Sequence, residues 1–545
     1  QRGTGSSWSA LCSNPLGDFD LSQRLFADRF PVILGNPPYN NFGQRNRAPW
    51  ILDQLGEYKR GLDEKKLNLD DDFIKFIRWA QYWIDQAGRG MVALVTSNTY
   101  LSGLTHRQMR ASLSDTCDHI YVLDLHGSSK RRETAPDGTR DENVFPIQQG
   151  VAIGLFVKTG SASRAGRVWH ADLWGRRQEK LKTIAATDVR NTPWTALDVQ
   201  GPHHFFLARK NGDATHYDRW PGLSEIFNRH VSGVQTKRDK LFVGFTREEV
   251  AAKVGRFLEA AAREEFEPDV PQWLRDKTVG VAFDPSLIRP YMVAPFDVRW
   301  VYYEPRLLGR ARYRLLRHLD ADNVALVFMR PATGPVPYDH FLVTNVLFSD
   351  RVFYSVLGAP FVAPLCLRDG QQAVANLRPQ FLEQLAQRLG IPFAQSSVAG
   401  TSKSFGPRDV LHWIYGAVHD PVYRQRYHGL LSIDFPRVPW PEDLGEFAEL
   451  GREGERLVAA HLRAIAGDNP DDVNLDGVTE ASDDTVQLQA GYPRWQAERL
   501  SFNSQFSWPE RVEAAVWNAR IGGYAVLPRW LKQRRDRLLS AQDFT

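Results

Sequence analysis

Cysteine is scarce in this 545-residue chain: Cys12, Cys117 and Cys366 are the only three, each about a hundred or more residues from the next. No C-x-x-C or Cys/His ligand spacing occurs, so neither a disulfide framework nor a zinc site is implied, and no metal is expected. A reducing cytoplasm is the expected location. Long apolar runs are missing too. Stretches such as Met91-Val92-Ala93-Leu94-Val95 fall far below the roughly 18–20 residues of a bilayer span, which excludes a membrane partner. No secretory pattern opens the chain, and its first residue is Gln1 rather than Met, which reads as a fragment or processed chain. Repeats and low-complexity tracts are absent. Strong charge is also lacking: 68 basic against 64 acidic residues leave +4, too mild to announce a nucleic-acid partner, so local clustering must carry that case. What remains, 43% apolar and 24% charged, is an ordinary globular composition. The length fits three to four domains, or two large ones.

The first ~165 residues read as alternating strands and helices. Pro31-Val32-Ile33-Leu34-Gly35 is a short buried-strand pattern closed by a proline-rich turn. From Asp70, Phe73, Ile74, Phe76, Ile77, Ala80, Trp83 and Ile84 recur at helical spacing behind acidic first-turn residues, and Gly88 and Gly90 stop the helix. Residues 91–95, 120–124 and 151–157 are further strand candidates. This alternation predicts an α/β layer structure with a largely parallel sheet. Beyond about residue 165, Trp, Arg and Pro become frequent and the alternation breaks down; residues 468–484, with seven acids and no Lys or Arg, read as an exposed loop. A boundary near 210–230 gives two regions, 1–220 and 221–545.

The most informative residues are Asn36-Pro37-Pro38-Tyr39, directly after the first strand, where open α/β sheets place ligands. Methylation of an exocyclic amine would need them. An aromatic amine is a poor nucleophile because its lone pair is delocalised. The Asn36 side-chain carbonyl and the Pro37 backbone carbonyl could accept its two protons and free that lone pair, with two prolines keeping the turn stiff. Tyr39 would stack on a flipped base. A strand ending in Asn-Pro-Pro is also a plain turn, and a tetrapeptide recurs by chance.

With this motif the sequence resembles the N-P-P-Y (gamma-type) DNA adenine-N6 methyltransferases. The likeness is greatest to the methyltransferase and target-recognition half of single-chain Type I-like (Type ISP) restriction–modification enzymes. Five further blocks carry the likeness: 141–153 (DENVFPIQQGVAI), 233–239 (GVQTKRD), 289–300 (with Arg289-Pro290 and Pro295-Phe296-Asp297-Val298-Arg299-Trp300), 415–424 (YGAVHDPVYR) and 521–531 (IGGYAVLPRWL). The resemblance implies part of a class I, Rossmann-like methyltransferase sheet followed by an α+β target-recognition region. It also implies S-adenosylmethionine as cofactor, near Asp72 and Phe73, and double-stranded DNA as partner. Asn36, Pro37, Pro38 and Tyr39 would be catalytic, and Phe145 would be a second face against the flipped base, with a core aromatic as the alternative. The expected enzyme is a site-specific adenine methyltransferase, a fragment lacking the upstream glycine-rich cofactor loop. The full protein's upstream methyltransferase, helicase and nuclease regions would be its covalent partners.

The second region is basic in places. Six arginines, including Arg299, Arg310 and Arg312, fall in residues 299–317 against one acid, Glu304, with Trp300, Tyr302, Tyr303 and Tyr313 between them. Planar guanidinium groups suit phosphate contacts; the bland alternative is a surface whose arginines pair with acids elsewhere. Thr236, Lys237, Arg238 and Lys240 form a second basic spot after Gly233. His126, His203 and His204 have no Cys or carboxylate at ligand spacing and read as structural. Two other functions compete with the enzyme: a non-catalytic DNA-specificity subunit whose methyltransferase remnant only scaffolds, and a protein-glutamine methyltransferase.

Overall fold

The computed structural model describes residues 31–38, 46–62, 69–129, 133, 135–160, 166–199, 203–207, 214–330, 338–353, 358–369, 372–395, 403–467, 486–505, 507–508, 511–535 and 537–539. The chain divides into two compact units, Gln1–Thr215 and His216–Thr545. Among the described residues no helix is long and apolar enough to cross a membrane.

The first unit is built on a six-stranded sheet of β1 (Val32–Gly35), β2 (Gly90–Ser97), β3 (His119–Asp124), β4 (Val151–Lys158), β5 (Arg167–Asp172) and β6 (Thr195–Leu197), in the order β1-β2-β4-β3-β5-β6. Helix α1 (Asp72–Gln86) buries Phe73, Ile74, Ile77, Ala80, Trp83 and Ile84, as its 3–4 spacing anticipates, while Phe76, expected with them, is only half-buried. Gln81 on the same helix is buried and tied to Tyr58 and to Ser112 and Thr116 of α2 (Arg107–Thr116). The sheet is more mixed than the largely parallel one expected. β1 pairs parallel with β2 and β3 with β5, but β4 runs antiparallel between β2 and β3, and β6 antiparallel beside β5. The cause lies in residues 125–150, which start and end at the carboxyl edge of β3, so the chain must return in the opposite direction. Asn143 braces that connection: its Nδ2 donates to the carbonyls of Gly127 and Gln149, and its Oδ1 accepts from the Phe145 N–H. Beside it Lys180 of α3 (Arg177–Ala186), wholly buried, pairs with Asp141 at 2.6 Å and donates to the carbonyls of Leu125 and Glu142.

The second unit contains two four-stranded sheets. One consists of β8 (Val243–Gly244), β9 (Ile288–Ala294), β10 (Asp297–Tyr302) and β13 (Leu347–Phe348); the other of β7 (Val231–Ser232), β11 (Ala325–Arg330), β12 (Phe341–Thr344) and β14 (Ala359–Pro364). The first five residues of β11, Ala-Leu-Val-Phe-Met, are all buried, as a central strand covered on both faces should be. Helix α4 (Arg247–Ala262) contributes Val250, Val254 and Leu258 to this core, with its N-terminus capped by Thr246 accepting from the Glu249 N–H. Residues 486–539 add short hairpins around a small core of their own: Leu488, Leu500, Phe502, Val512, Leu531 and Leu539.

The tightest packing joins α5 (Pro407–His419) to α6 (Leu444–Ala466). A side chain on Gly416 would overlap the Leu450 carbonyl oxygen, and one on Gly454 would overlap that of His412, so the two backbones touch where only glycine fits. Gly451, one turn earlier on α6, meets nothing within 4 Å. Gly454→Ala should therefore lower unfolding free energy by about 1–3 kcal/mol or more through overpacking. Gly451→Ala should be neutral or raise it by up to roughly 1 kcal/mol through helix propensity. Urea melts of both variants check this, and equal effects would mean that the crossing is looser than described.

Candidate nucleic-acid interface

Asn36 and Pro38 are exposed and Pro37 is buried at the carboxyl end of β1, as expected of a turn leaving a strand; Tyr39 lies outside the described residues. Phe145 is half-buried against a cluster containing Leu125, Val144 and Val151. Asp72 opens α1, where its Oδ1 accepts from Lys75 Nζ at 2.8 Å and from the Asn46 N–H at 3.3 Å. Phe73 is 2% exposed and packs towards Tyr100. Both residues help hold the first unit together.

In the second unit the 233–240 segment meets the end of the arginine run. Gln235 and Arg310 exchange backbone hydrogen bonds in both directions, at 3.0 and 2.9 Å. A side chain on Gly309 would come within 2.6 Å of Lys237 Cγ, so Lys237 lies directly across this glycine. Lys237 itself adopts a left-handed φ of 64°, and its ammonium lies 5.5 Å from the Trp273 ring, which Lys277 approaches at 5.3 Å. Lys240 and Arg310 are exposed, and neither side chain makes a hydrogen bond or ion pair with a described residue. Arg312, with φ 57°, donates from Nη2 to Ser232 Oγ at 2.8 Å, while its buried Nε has no hydrogen-bond partner among the described residues. Burial, and then the neighbouring Arg310 charge, lower the Arg312 pKa from the usual guanidinium range. Burial raises that of Asp350, whose N–H bonds to the Val234 carbonyl. Both shifts reflect lost hydration where these loops meet. The outcome is a small basic ridge around Lys237 and Arg310, from two chain segments more than seventy residues apart and held in register by the backbone, with the half-buried Arg312 turned onto Ser232.

Other expected contacts are engaged inside the unit. Thr236 is 2% exposed; its hydroxyl bonds to Asp239 and accepts from the Arg238 N–H, shaping the entry to the helix Asp239–Phe242. Arg238 pairs with Asp269 at 2.6 Å. Arg299 pairs with buried Asp297 at 2.8 Å and lies 4.3 Å from the Phe245 ring. Arg306 bonds to Glu304. The arginine run is therefore not one continuous face: strand, turn and helix geometry sends its members to different neighbours.

Two features escaped sequence reasoning. Asp339, 7% exposed, accepts from the Gly523 N–H, and its carbonyl accepts from the Gly522 N–H. In the first unit His126, which has no carboxylate at ligand spacing in sequence, lies with Nε2 2.8 Å from Asp172 Oδ1. The partners are 46 residues apart, and only the parallel register of β3 and β5 joins them.

Comparison with known proteins gives these features a frame. Residues 225–543 match the model of the Type ISP C-terminal specificity domain. A search of curated proteins finds no match. Among solved structures, the DrdV–DNA complex is similar with a TM-score of 0.62 at 20% identity, covering 95% of this chain and 54% of that one. The DNA-bound Type ISP restriction–modification enzyme LlaBIII gives a TM-score of 0.64 at 17% identity, over 95% of this chain and 35% of that one. A nuclease-deletion mutant of the Type ISP enzyme LlaGI, in complex with a DNA substrate mimic, gives 0.62 at 16%, over 97% and 51%. This chain thus spans between about a third and just over half of those proteins. The match corrects the expectation of a site-specific adenine methyltransferase: what the family model recognises is a target-specificity domain rather than a catalytic one, and the chain belongs to the Type ISP C-terminal specificity domain family.

Proposed function

We propose that residues 221–545 recognise a target site on double-stranded DNA for a restriction–modification enzyme acting in the cytoplasm. In that reading the enzyme's methyltransferase, helicase and nuclease regions are covalent partners outside this chain. The observation that carries it is the specificity-domain match over 225–543, whose basic ridge of Lys237, Lys240, Arg310 and Arg312 is held by the Gln235–Arg310 backbone pair. Exposed lysine and arginine on a fixed turn suit phosphate oxygens, which orient a protein on a duplex without reading its sequence. We read the first unit's sheet as the later part of a Rossmann-like methyltransferase sheet, retained as a scaffold. The antiparallel β4 between parallel neighbours and the Asn36-Pro37-Pro38 turn at a strand's carboxyl edge support this.

A phosphate contact releases condensed counterions, so removing one should flatten log Kd against log salt by about one and weaken all sequences alike. Lys240→Ala and Arg310→Ala should each behave this way on cognate and scrambled duplexes. Arg299→Ala should instead lower the melting temperature, because it leaves Asp297 with one fewer partner. Wild-type affinity and slope in both ridge variants would move the DNA surface elsewhere in 221–545.

If the first unit is a scaffold, the chain transfers no labelled methyl group to duplex DNA, and Asn36→Ala leaves duplex affinity unchanged. Methyl incorporation that disappears in Asn36→Ala would refute the scaffold reading.

A further inference from the structure

The first unit holds a cluster that DNA recognition does not use. β3 and β5 run parallel, with Asp124 beside Asp172 in register and Val122 beside His170. Alternate residues of a strand share a face, so His170, Asp172 and Asp124 point to the same side of the sheet. One ligand atom from each of these three residues lies within 4.8 Å of the other two. Asp124 and Asp172 both end their strands, at the carboxyl edge. Two donors fix the same oxygen of Asp124: Asn98 Nδ2 at 3.0 Å and the His126 N–H at 2.9 Å both reach Oδ1. Oδ2 lies 3.7 Å from His126 Nδ1. The His126 ring stacks on Trp174, and its Nε2 holds Asp172 Oδ1 at 2.8 Å.

The independent observation is His170. It is 2% exposed, and neither ring nitrogen has a hydrogen-bond partner among the described residues. Its Nε2 points into the cluster, 3.7 Å from Asp172 Oδ1, beyond hydrogen-bond range. An imidazole always carries at least one N–H to donate, so leaving both nitrogens unmet in the interior is a poor arrangement for a packing residue. It is the arrangement of a histidine whose partner is an ion.

We propose that Asp124, His170 and Asp172 bind a divalent transition-metal ion, with His126 orienting Asp172 from outside the ligand set. One imidazole nitrogen with two carboxylate oxygens suits zinc or cobalt better than magnesium or calcium, which favour all-oxygen sites. A hydrogen bond that steers a ligating carboxylate is a regular feature of metal sites. The Asp172 side chain is 42% exposed. Bound there, the ion would tie β3 to β5 at the same edge that carries Asn98.

The test uses the tag-free full chain, stripped with a chelator and titrated with Co²⁺ alone. One equivalent should give visible d–d absorption that Zn²⁺ displaces, with a rise in melting temperature. His170→Gln and Asp172→Asn should each weaken Co²⁺ binding by about tenfold or more, and His126→Gln, which removes the orienting contact along with the Trp174 stack, by about tenfold. His461→Gln, in the other unit, should leave binding unchanged. Absence of a stoichiometric band, or a band surviving both His170→Gln and Asp172→Asn, would eliminate the site. Should His170→Gln fail to fold, Asp172→Asn decides alone, since its partly exposed side chain tolerates an isosteric change.

Discussion

A carboxylate cannot be left unpaired in a protein interior, and Asp297 is where that constraint organises the second unit. It is 1% exposed, at the start of β10, and accepts from Arg299 at 2.8 Å and from Arg534 at 2.9 Å. Removing one partner of a buried pair typically costs about 3–5 kcal/mol, because the remaining charge has nowhere to go. Arg534 comes from residues 486–539, whose own core is a handful of side chains and could hold little by itself. Phe245 completes the joint: Arg299, Arg534 and Arg537 approach its ring at 4.3, 5.2 and 4.3 Å. Asp339, with the Gly522 and Gly523 N–H groups, makes a second tie between the same segments. Charge and backbone polarity thus tie the hairpins to the rest of the unit.

The same logic explains what the sequence blocks are for. Asp141 and Asn143 of the block at 141–153 brace the reversal into β4, and Gly416 in the block at 415–424 permits the helix crossing. Asp297 and Gly523 come from two further blocks. Each block contains a polar or glycine residue whose partner is remote in sequence, by 39 residues for Asp141–Lys180 and by 237 for Asp297–Arg534. Such residues can be recognised as a pattern, but their partners cannot be named from one sequence.

What was legible was local. Helix α1, the existence of the strand ending before Asn36-Pro37-Pro38 and the change of texture along the chain follow from periodicity and turn chemistry, which act over a few residues; the burial expected of that strand does not hold, since Val32 and Leu34 are 52% and 67% exposed and only Ile33 is buried. Antiparallel β4 was not legible, since its direction depends on where residues 125–150 return. Arg299 shows the limit most clearly. In sequence it is one of six arginines facing a single acid at Glu304, yet Asp297, two positions before Arg299, lies just outside that window and captures it. The catalytic expectation failed for a different reason. A strand–turn motif describes a fold that several functions share, and function resides in the residues placed on it.

A net charge of +4 spread over 545 residues supplies little general attraction for DNA, so a recognition surface here must work through few cations placed well. The proposed ridge would suit that. Lys237 and Arg310 belong to segments locked by a reciprocal backbone pair, and Lys237 and Arg312 both occupy left-handed φ, a conformation held only when surrounding structure enforces it. Cations fixed in this way lose less freedom on meeting phosphates than lysines on a mobile tail would. Few, rigid phosphate contacts also keep non-specific affinity low, because that term grows with the number of phosphates neutralised. In the proposed reading, discrimination between sequences then depends on base edges and duplex shape, and the ridge's part would be to set the register in which those are read.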